Sequence, residues 1–178
     1  MPHALIAALE GNTVEAVKVF GEAYPEVNLV ALVDFENDCV ATSLECAHAL
    51  GDRLWGVRVD TSENLVDRTV LPRMGNFKPT GVVPELVFSL REALDRAGFA
   101  GVKIIASGGF DAGKIGRFEE QGVPVDAYGV GSALLSGKHD YTADVVRVEG
   151  KACAKVGRSF LPNPRLRRVE KGEIGHDP

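Results

Sequence analysis

Short apolar runs alternate with amphipathic stretches along most of the chain. Nearly continuous apolar runs are typical of strands buried on both faces of a parallel sheet. Such runs cover residues 28–34, 55–60, 102–106 and 126–130. Helical patterns cover residues 4–9, 12–23, 38–50, 84–97 and 111–121. Because strands and helices alternate without a two-residue hairpin signal between them, the pattern predicts a parallel α/β fold with about four strand–helix units.

Glycine and proline mark where several of these elements begin and end. Gly51 and Gly98 stand where two helices should stop, and Pro84 stands in the first turn of another. The stretch 61–83 is irregular and rich in proline and glycine. Loops of that length are often functional, so this stretch is a candidate binding segment.

The length of 178 residues limits how much of a barrel the chain can form. A complete (β/α)8 barrel needs roughly 250 residues. We therefore predict the C-terminal half of a (β/α)8 barrel over residues 1–140, followed by an extension and tail over 141–178. Within the extension, residues 144–156 alternate and predict a short β excursion.

Half a barrel would leave two sheet edges and much apolar surface uncovered. We expect such a chain to pair with another copy or with a missing first half. A helical pattern follows Met1 directly, with no leading strand, which suggests an upstream truncation.

The formal net charge of −5 argues against general nucleic-acid binding. The one basic cluster, residues 158–168, is interpreted as a solvated surface, with a phosphate or partner contact as the alternative. No signal peptide and no run of 18 apolar residues is present, so we expect a cytoplasmic protein without a membrane span.

Three cysteines, Cys39, Cys46 and Cys153, occur without a C-x-x-C pair. This number and spacing support neither a disulfide framework nor a zinc knuckle. Cys39 and Cys46 lie seven residues apart on one helix face, so we interpret them as small buried side chains.

Two glycine-rich turns stand where the last two predicted strands end. The first lies in KIIASGGF, residues 103–110, and the second in AYGVGSAL, residues 127–134. Glycines allow a ligand to approach the backbone, and the helix that follows each turn presents free N–H groups. The last two strands of a (β/α)8 barrel commonly bind a phosphate in this way. The amides of 108–110 and 130–132 are therefore a candidate phosphate site, with simple tight turns as the alternative.

Polar side chains stand at the same strand ends. Asp34 ends the first strand, Arg58 and Asp60 end the second in one phase, and Ser107 ends the third. Arg58 could pair with a carboxylate or phosphate. Asp34 and Asp60 could bind sugar hydroxyls or Mg²⁺, and could stabilise positive charge at an anomeric carbon. The alternatives are that Asp34 caps the next helix and that Arg58 and Asp60 form a structural ion pair.

An ordered set of motifs accompanies these strand ends. They are MPHAL at 1–5, LVDF at 32–35, LWGVRVDT at 54–61, ASGG at 106–109 and GVG at 129–131. On these motifs the chain resembles the C-terminal half of nicotinate phosphoribosyltransferase, a type II phosphoribosyltransferase, from Met1 to about Arg168.

The resemblance implies a reaction in NAD salvage. Nicotinate and phosphoribosyl pyrophosphate would give nicotinate mononucleotide and pyrophosphate, with Mg²⁺ and often with coupled ATP hydrolysis. Family enzymes are longer, and the absent half carries residues that sandwich the pyridine ring, some across a dimer interface. We therefore expect a homo-oligomer, or pairing with an N-terminal half, and no competence of the isolated chain.

The resemblance also implies roles for individual residues. His3 matches the histidine that is phosphorylated in the ATP-coupled cycle, and Asp34 matches an acidic residue one strand before Asp60. Arg58 and Asp60 match the pair at the substrate and ribose. The implied 5′-phosphate site consists of Ser107, Gly108, Gly109, Gly129 and Gly131. Position 35 is Phe where many members have Thr, which removes a hydroxyl there.

Two other function classes stay open on the sequence. A phosphosugar isomerase or aldolase-like barrel would need a catalytic Lys or Glu at a strand end, but Lys103 stands at the start of its strand. A non-catalytic half, encoded separately, would bind a phosphorylated nucleotide or a partner half. Quinolinate phosphoribosyltransferase is related, but its more basic substrate site is not evident.

Overall fold

A computed structural model describes residues 1–136 and 143–165. The chain divides into two compact units, Met1–Gly137 and Lys138–Pro178. The helices of the first unit are α1 (His3–Ala8), α2 (Thr13–Ala23), α3 (Cys39–Leu50), α4 (Pro84–Arg96), α5 (Ala112–Glu120) and α6 (Ser132–Leu135). Its strands are β1 (Val30–Leu32), β2 (Gly56–Val59), β3 (Lys103–Ala106) and β4 (Ala127–Tyr128).

The four strands of the first unit form one parallel sheet in the order β1-β2-β3-β4. The register pairs Leu32 with Arg58, Arg58 with Ile105, and Ile105 with Ala127. The carboxyl ends of all four strands therefore meet at one edge of the sheet. The predicted parallel α/β architecture is confirmed, with strands shorter than the apolar runs; closure as part of a barrel stays a prediction.

The sheet buries one face fully and the other only in part, although its continuous apolar runs predicted burial on both. On the second face Arg58 and Ile105 are half-buried and Lys103 is exposed. Val57, Val59, Ile104 and Ala106 are fully buried in the central strands. Helix α4 adds Leu86, Val87, Leu90 and Leu94, whose helical spacing places them on one face against the same core. Burial of each such side chain contributes about 1.5–3 kcal/mol, so this core accounts for much of the stability.

Side-chain caps define where the helices begin. The side chains of Asn12, Asp38 and Asp111 accept hydrogen bonds from the backbone N–H groups of Glu15, Ala41 and Lys114, respectively. Each cap pairs one of the N–H groups that a helix start leaves without an intrahelical partner. Asp38, rather than Asp34, is the side chain that caps α3.

The stretch 61–83 is held by specific contacts with the start of α3. The fully buried Asp67 carboxylate accepts hydrogen bonds from the N–H groups of Cys39 and Thr69 at 3.0 and 2.9 Å. The Asn37 side chain donates to the carbonyl of Val66 at 2.8 Å. These bonds fix an irregular segment beside the carboxyl end of β2.

The second unit contains an antiparallel pair, β5 (Arg147–Val148) and β6 (Lys151–Ala152). This pair confirms the β excursion predicted for 144–156. Arg158 forms a 2.8 Å ion pair with Asp144. The part of the predicted basic cluster that follows residue 165 lies outside the described residues.

Three further predictions concern burial and membranes. Cys39 and Cys46 are fully buried, Cys153 is exposed, and none of the three forms a disulfide. Burial raises the pKa of Cys39 well above its ordinary value, so this thiol is held protonated. Across the described ranges, no helix has the length and apolar character that a membrane span needs.

Candidate functional site

A cavity of about 580 Å³ opens at the carboxyl edge of the sheet. It is lined by Arg58 and Asp60 after β2, by the first glycine turn after β3, and by the second glycine turn and the start of α6 after β4. We call it the strand-end cavity. It contains seven of the nine predicted site residues: Arg58, Asp60, Ser107, Gly108, Gly109, Gly129 and Gly131.

Asp60 is the centre of the polar side of this cavity. The Ser107 hydroxyl donates to Asp60 Oδ1 at 2.8 Å, and Arg58 Nη2 lies 3.9 Å from Asp60 Oδ2. The side chains of Arg58 and Asp60 are 34% and 27% exposed. The two side chains therefore contact each other and are also accessible from the cavity, so the ion pair and a binding role for these residues are compatible.

The strand ladder ends at the two glycine turns. Ser107 N–H donates to the Val59 carbonyl at 2.9 Å and Gly129 N–H to the Ala106 carbonyl at 2.8 Å. Beyond them, the N–H groups of residues 108, 109, 130 and 131 donate to no atom in the part of the chain that the structure describes. Successive unpaired backbone N–H groups can bind an anion where the turn makes them converge.

The two glycines of the second turn have different surroundings. A Cβ atom on Gly129 would lie 2.9 Å from the Cβ of Ser107, so only glycine allows these two strand ends to approach so closely. A Cβ on Gly131 would meet no atom within 4 Å. Gly129 therefore serves packing, whereas Gly131 leaves space beside the free N–H groups.

His3 and Asp34 form a separate pair. His3 Nε2 lies 3.0 and 3.2 Å from the two carboxylate oxygens of Asp34. Packing of Ile6 in α1 against Leu32 in β1 brings the two residues together across 31 positions of sequence. The side chain of Asp34 is only 9% exposed, whereas that of His3 is 45% exposed. The free side of the imidazole therefore faces solvent.

Burial raises the pKa of Asp34 above its ordinary value of 3.8. The hydrogen bond and charge of His3 act in the opposite direction, and the Asp60 carboxylate raises the pKa further. The contribution of Asp60 is the smallest of these effects on the pKa of Asp34.

Lys114, which the sequence analysis did not single out, contacts the first glycine turn from outside the strand-end cavity. Its ammonium group donates to the Gly108 carbonyl at 3.0 Å and lies 4.2 Å from the centre of the Phe110 ring. Burial lowers the pKa of Lys114, and the nearby Glu63 carboxylate opposes that shift. The sequence feature that could have indicated Lys114 is a lysine in the first turn of the helix that follows a double glycine.

The remaining sequence candidates lie away from the cavity. Phe35 packs against the cluster around Ile6 and Leu32, so the residue that replaces the family's Thr serves the core. Lys103 lies at the amino end of β3 and forms a 3.0 Å ion pair with Asp126. Among the described residues no group of three or more His, Cys, Asp or Glu side chains could hold a metal ion.

The chain is similar to several proteins of known name. The nicotinate phosphoribosyltransferase of Bacillus subtilis (strain 168) is 28% identical over 137 residues, which is 75% of this chain and 24% of that protein. Nicotinate phosphoribosyltransferase pncB2 of Mycobacterium tuberculosis (strain H37Rv) is 28% identical over 184 aligned positions, 97% of this chain and 35% of that protein. No family model matches the chain.

A solved structure agrees with these relatives. The crystal structure of nicotinate-nucleotide pyrophosphorylase from Pyrococcus furiosus superposes with a TM-score of 0.63 at 39% identity, covering 89% of this chain and 37% of that one. The resemblance to nicotinate phosphoribosyltransferases indicated by the motifs is thus confirmed along almost the whole chain. The chain spans a quarter to somewhat over a third of the length of these proteins.

Proposed function

We propose that this chain forms part of a nicotinate phosphoribosyltransferase that makes nicotinate mononucleotide and pyrophosphate from nicotinate and phosphoribosyl pyrophosphate. One observation carries the proposal. Two glycine turns whose N–H groups at 108, 109, 130 and 131 have no partner among the described residues line the same cavity as Arg58, Asp60 and Ser107. A phosphorylated sugar has the groups that such a cavity can bind: a dianion, neighbouring hydroxyls and a carbon that develops positive charge.

The glycine turns would bind the 5′-phosphate of the sugar. Phosphate oxygens could accept hydrogen bonds from the free N–H groups at 108–109 and 130–131, with the Glu63 carboxylate beside Gly109 and open space beside Gly131. Anchoring this remote phosphate would fix the ribose with its reacting carbon over Asp60. Binding energy spent on positioning lowers the barrier of the chemical step.

Asp60 would stabilise the transition state of transfer. The bond between C1 of ribose and pyrophosphate breaks with its electron pair leaving on pyrophosphate, and the nicotinate ring nitrogen forms the new bond to C1. Positive charge develops on the sugar between these events, and a preorganised carboxylate beneath it stabilises that charge. Ser107 and Arg58 hold the Asp60 carboxylate in one orientation for this role.

Asp34 and Asp60 have the oxygen chemistry that Mg²⁺ prefers. Mg²⁺ is usually bound through one or two carboxylates together with substrate phosphates, and the position of these two aspartates after the neighbouring strands β1 and β2 fits that arrangement. When bound, the ion would neutralise charge on the departing pyrophosphate.

His3 would carry the coupling to ATP. With Nε2–H donating to Asp34, the imidazole has its free electron pair on Nδ1. Nδ1 would attack the terminal phosphorus of ATP, forming an N–P bond as the P–O bond to ADP breaks. Asp34 would stabilise the resulting positive charge on the ring, and the 45% exposure of His3 leaves room for the nucleotide.

We propose that catalysis needs more of the enzyme than this chain, as a homo-oligomer or by pairing with an N-terminal half. The chain spans a quarter to somewhat over a third of its relatives, and in the described sheet β1 and β4 each have one unpaired edge. The same observation favours a second candidate, a non-catalytic half that binds nucleotide or its partner. The setting proposed for either is cytoplasmic NAD salvage.

A calorimetric titration with nicotinate mononucleotide tests the binding function. We expect saturable binding by the full 178-residue chain, and its loss in Gly131→Asp, where a carboxylate would enter the phosphate position. Absence of binding by a folded wild-type chain would contradict the proposal. If the chain binds, adding an N-terminal half separates the two candidate functions. Formation of nicotinate mononucleotide would support the enzyme, and its absence would support the non-catalytic half.

A further inference from the structure

Lys114 reaches from the first turn of α5 back to the first glycine turn. Its backbone N–H is fixed by Asp111 Oδ1 at 2.7 Å, and its ammonium group donates to the Gly108 carbonyl at 3.0 Å. The Phe110 ring lies 4.2 Å beneath the ammonium. Backbone and side chain of one residue are therefore both held, which makes Lys114 a rigid donor rather than a mobile surface lysine.

The hydrogen bond to Gly108 determines where the next N–H group points. The Gly108–Gly109 peptide is trans, so the carbonyl of Gly108 and the N–H of Gly109 point in opposite directions. Lys114 lines a neighbouring cavity with Glu63 and Lys78, and Gly109 lines both that cavity and the strand-end cavity. With its carbonyl drawn toward Lys114, this peptide turns the N–H of Gly109 away from Lys114, and Gly109 is a residue of the strand-end cavity.

The orientation of the peptide between two glycines is determined by a hydrogen bond from outside the pair rather than by the glycines themselves. Gly108 and Gly109 have φ of +86° and +65°, and glycine has little intrinsic preference between orientations of the flanking peptides. A hydrogen bond from a charged donor is about twice as strong as a neutral one and is well suited to select one orientation.

We propose that Lys114 is a positioning residue of the phosphate site: it holds the Gly108–Gly109 peptide so that the Gly109 N–H is presented to a bound phosphate. The inference rests on the proposed function only in taking the strand-end cavity as a phosphate site. Lys114 acts through the backbone and needs no contact with the ligand.

Nuclear magnetic resonance of the ¹⁵N-labelled full chain, titrated with inorganic phosphate, tests this role. In wild type we expect the amides of Gly109 and Gly131 to shift together and saturate. In Lys114→Met the affinity should fall about tenfold, and the Gly109 amide should lose its response while Gly131 still responds. Lys114→Arg keeps the charged donor and should restore both. Lys18→Met, on the exposed face of α2, removes the same charge and should behave as wild type.

The outcomes separate the inference from the proposed function. Wild-type affinity and a normal Gly109 response in Lys114→Met would overturn the inference and leave the phosphate site standing. Equal loss at Gly109 and Gly131 would also overturn it, since a general structural role affects both turns alike. Absence of phosphate binding by wild type would overturn it as well. Selective loss at Gly109, combined with no binding of nicotinate mononucleotide, would support the inference and contradict the proposed function.

Discussion

The Ser107 hydroxyl donates a 2.8 Å hydrogen bond to Asp60 Oδ1 across two neighbouring strands. The parallel register pairs Val59 with Ala106, so the next residue on each strand meets its counterpart at the open edge of the sheet. A carboxylate held by a hydroxyl and faced by Arg58 has one orientation before any substrate arrives. Preorganisation of this kind is what makes a charged group effective in a transition state.

Asp60→Ala should therefore impair catalysis in the complete enzyme. We expect a loss of about 2–4 kcal/mol of transition-state stabilisation, or roughly 30- to 1,000-fold in kcat/KM. Ser107→Ala removes only the hydroxyl that orients Asp60 and should cost about tenfold. Steady-state kinetics with phosphoribosyl pyrophosphate provide the measurement, and unchanged turnover in Asp60→Ala would exclude the role.

Alanine at position 129 should reduce the stability of the chain, whereas alanine at position 131 should reduce its affinity for phosphate. In Gly129→Ala the new Cβ would lie 2.9 Å from the Ser107 Cβ, so we expect a loss of about 1–3 kcal/mol in the free energy of unfolding. In Gly131→Ala the Cβ meets nothing, so stability should change by less than about 0.5 kcal/mol while phosphate affinity falls. Urea unfolding and a phosphate titration measure the two effects, and equal destabilisation would contradict this division of roles.

The sequence predicted the elements of the fold because each is determined locally. Apolar runs became strands, and helices end near Gly51 and Gly98, both of which have positive φ. The strands are shorter than the apolar runs. In the run 28–34, Leu29 and Val33 lie outside β1, yet they are buried and still share backbone hydrogen bonds with the segment that contains β2. Whether the sheet is part of a closed barrel depends on partners of β1 and β4, which no local pattern contains.

Of the candidate site, only the residues that stand at the carboxyl ends of strands could be predicted from the sequence. Asp60 and Ser107 stand at the ends of neighbouring strands, so their proximity follows from a parallel sheet. The His3–Asp34 hydrogen bond depends on how α1 packs, and the Lys114–Gly108 bond on a side-chain conformation. Neither appears in spacing or composition, because tertiary packing determines both.

Asp67 should be more important for stability than the cap residue Asp38. Asp67 is fully buried and accepts from the N–H groups of Cys39 and Thr69, which its removal would leave without partners. We expect Asp67→Ala to cost about 3 kcal/mol in urea unfolding. Asp38→Ala removes a single cap hydrogen bond, which is exposed to solvent, and should cost about 1 kcal/mol in the free energy of unfolding. Equal losses in the two variants would contradict the view that Asp67 anchors the stretch 61–83 to α3.

Asp34 should make the stability of the chain depend on pH. Its pKa in the folded chain lies above the ordinary value of 3.8, chiefly because of burial. Below pH 3.8 the carboxyl is protonated in both folded and unfolded chains. As the pH rises, the unfolded chain ionises first, so the free energy of unfolding falls until the pH has passed the folded-state pKa. Asp34→Asn stays neutral, so wild type should lose stability relative to this variant across that window.

His3 provides the control for this prediction, because its hydrogen bond to Asp34 lowers the pKa that burial raises. In His3→Gln the folded-state pKa of Asp34 should rise further, and the loss of stability relative to the His3→Gln, Asp34→Asn double variant should extend to higher pH. Urea unfolding at a series of pH values compares the two pairs of proteins. If the difference in unfolding free energy between wild type and Asp34→Asn does not change with pH, burial does not raise the pKa of Asp34. If both pairs of proteins lose stability over the same pH range, His3 does not stabilise the Asp34 charge.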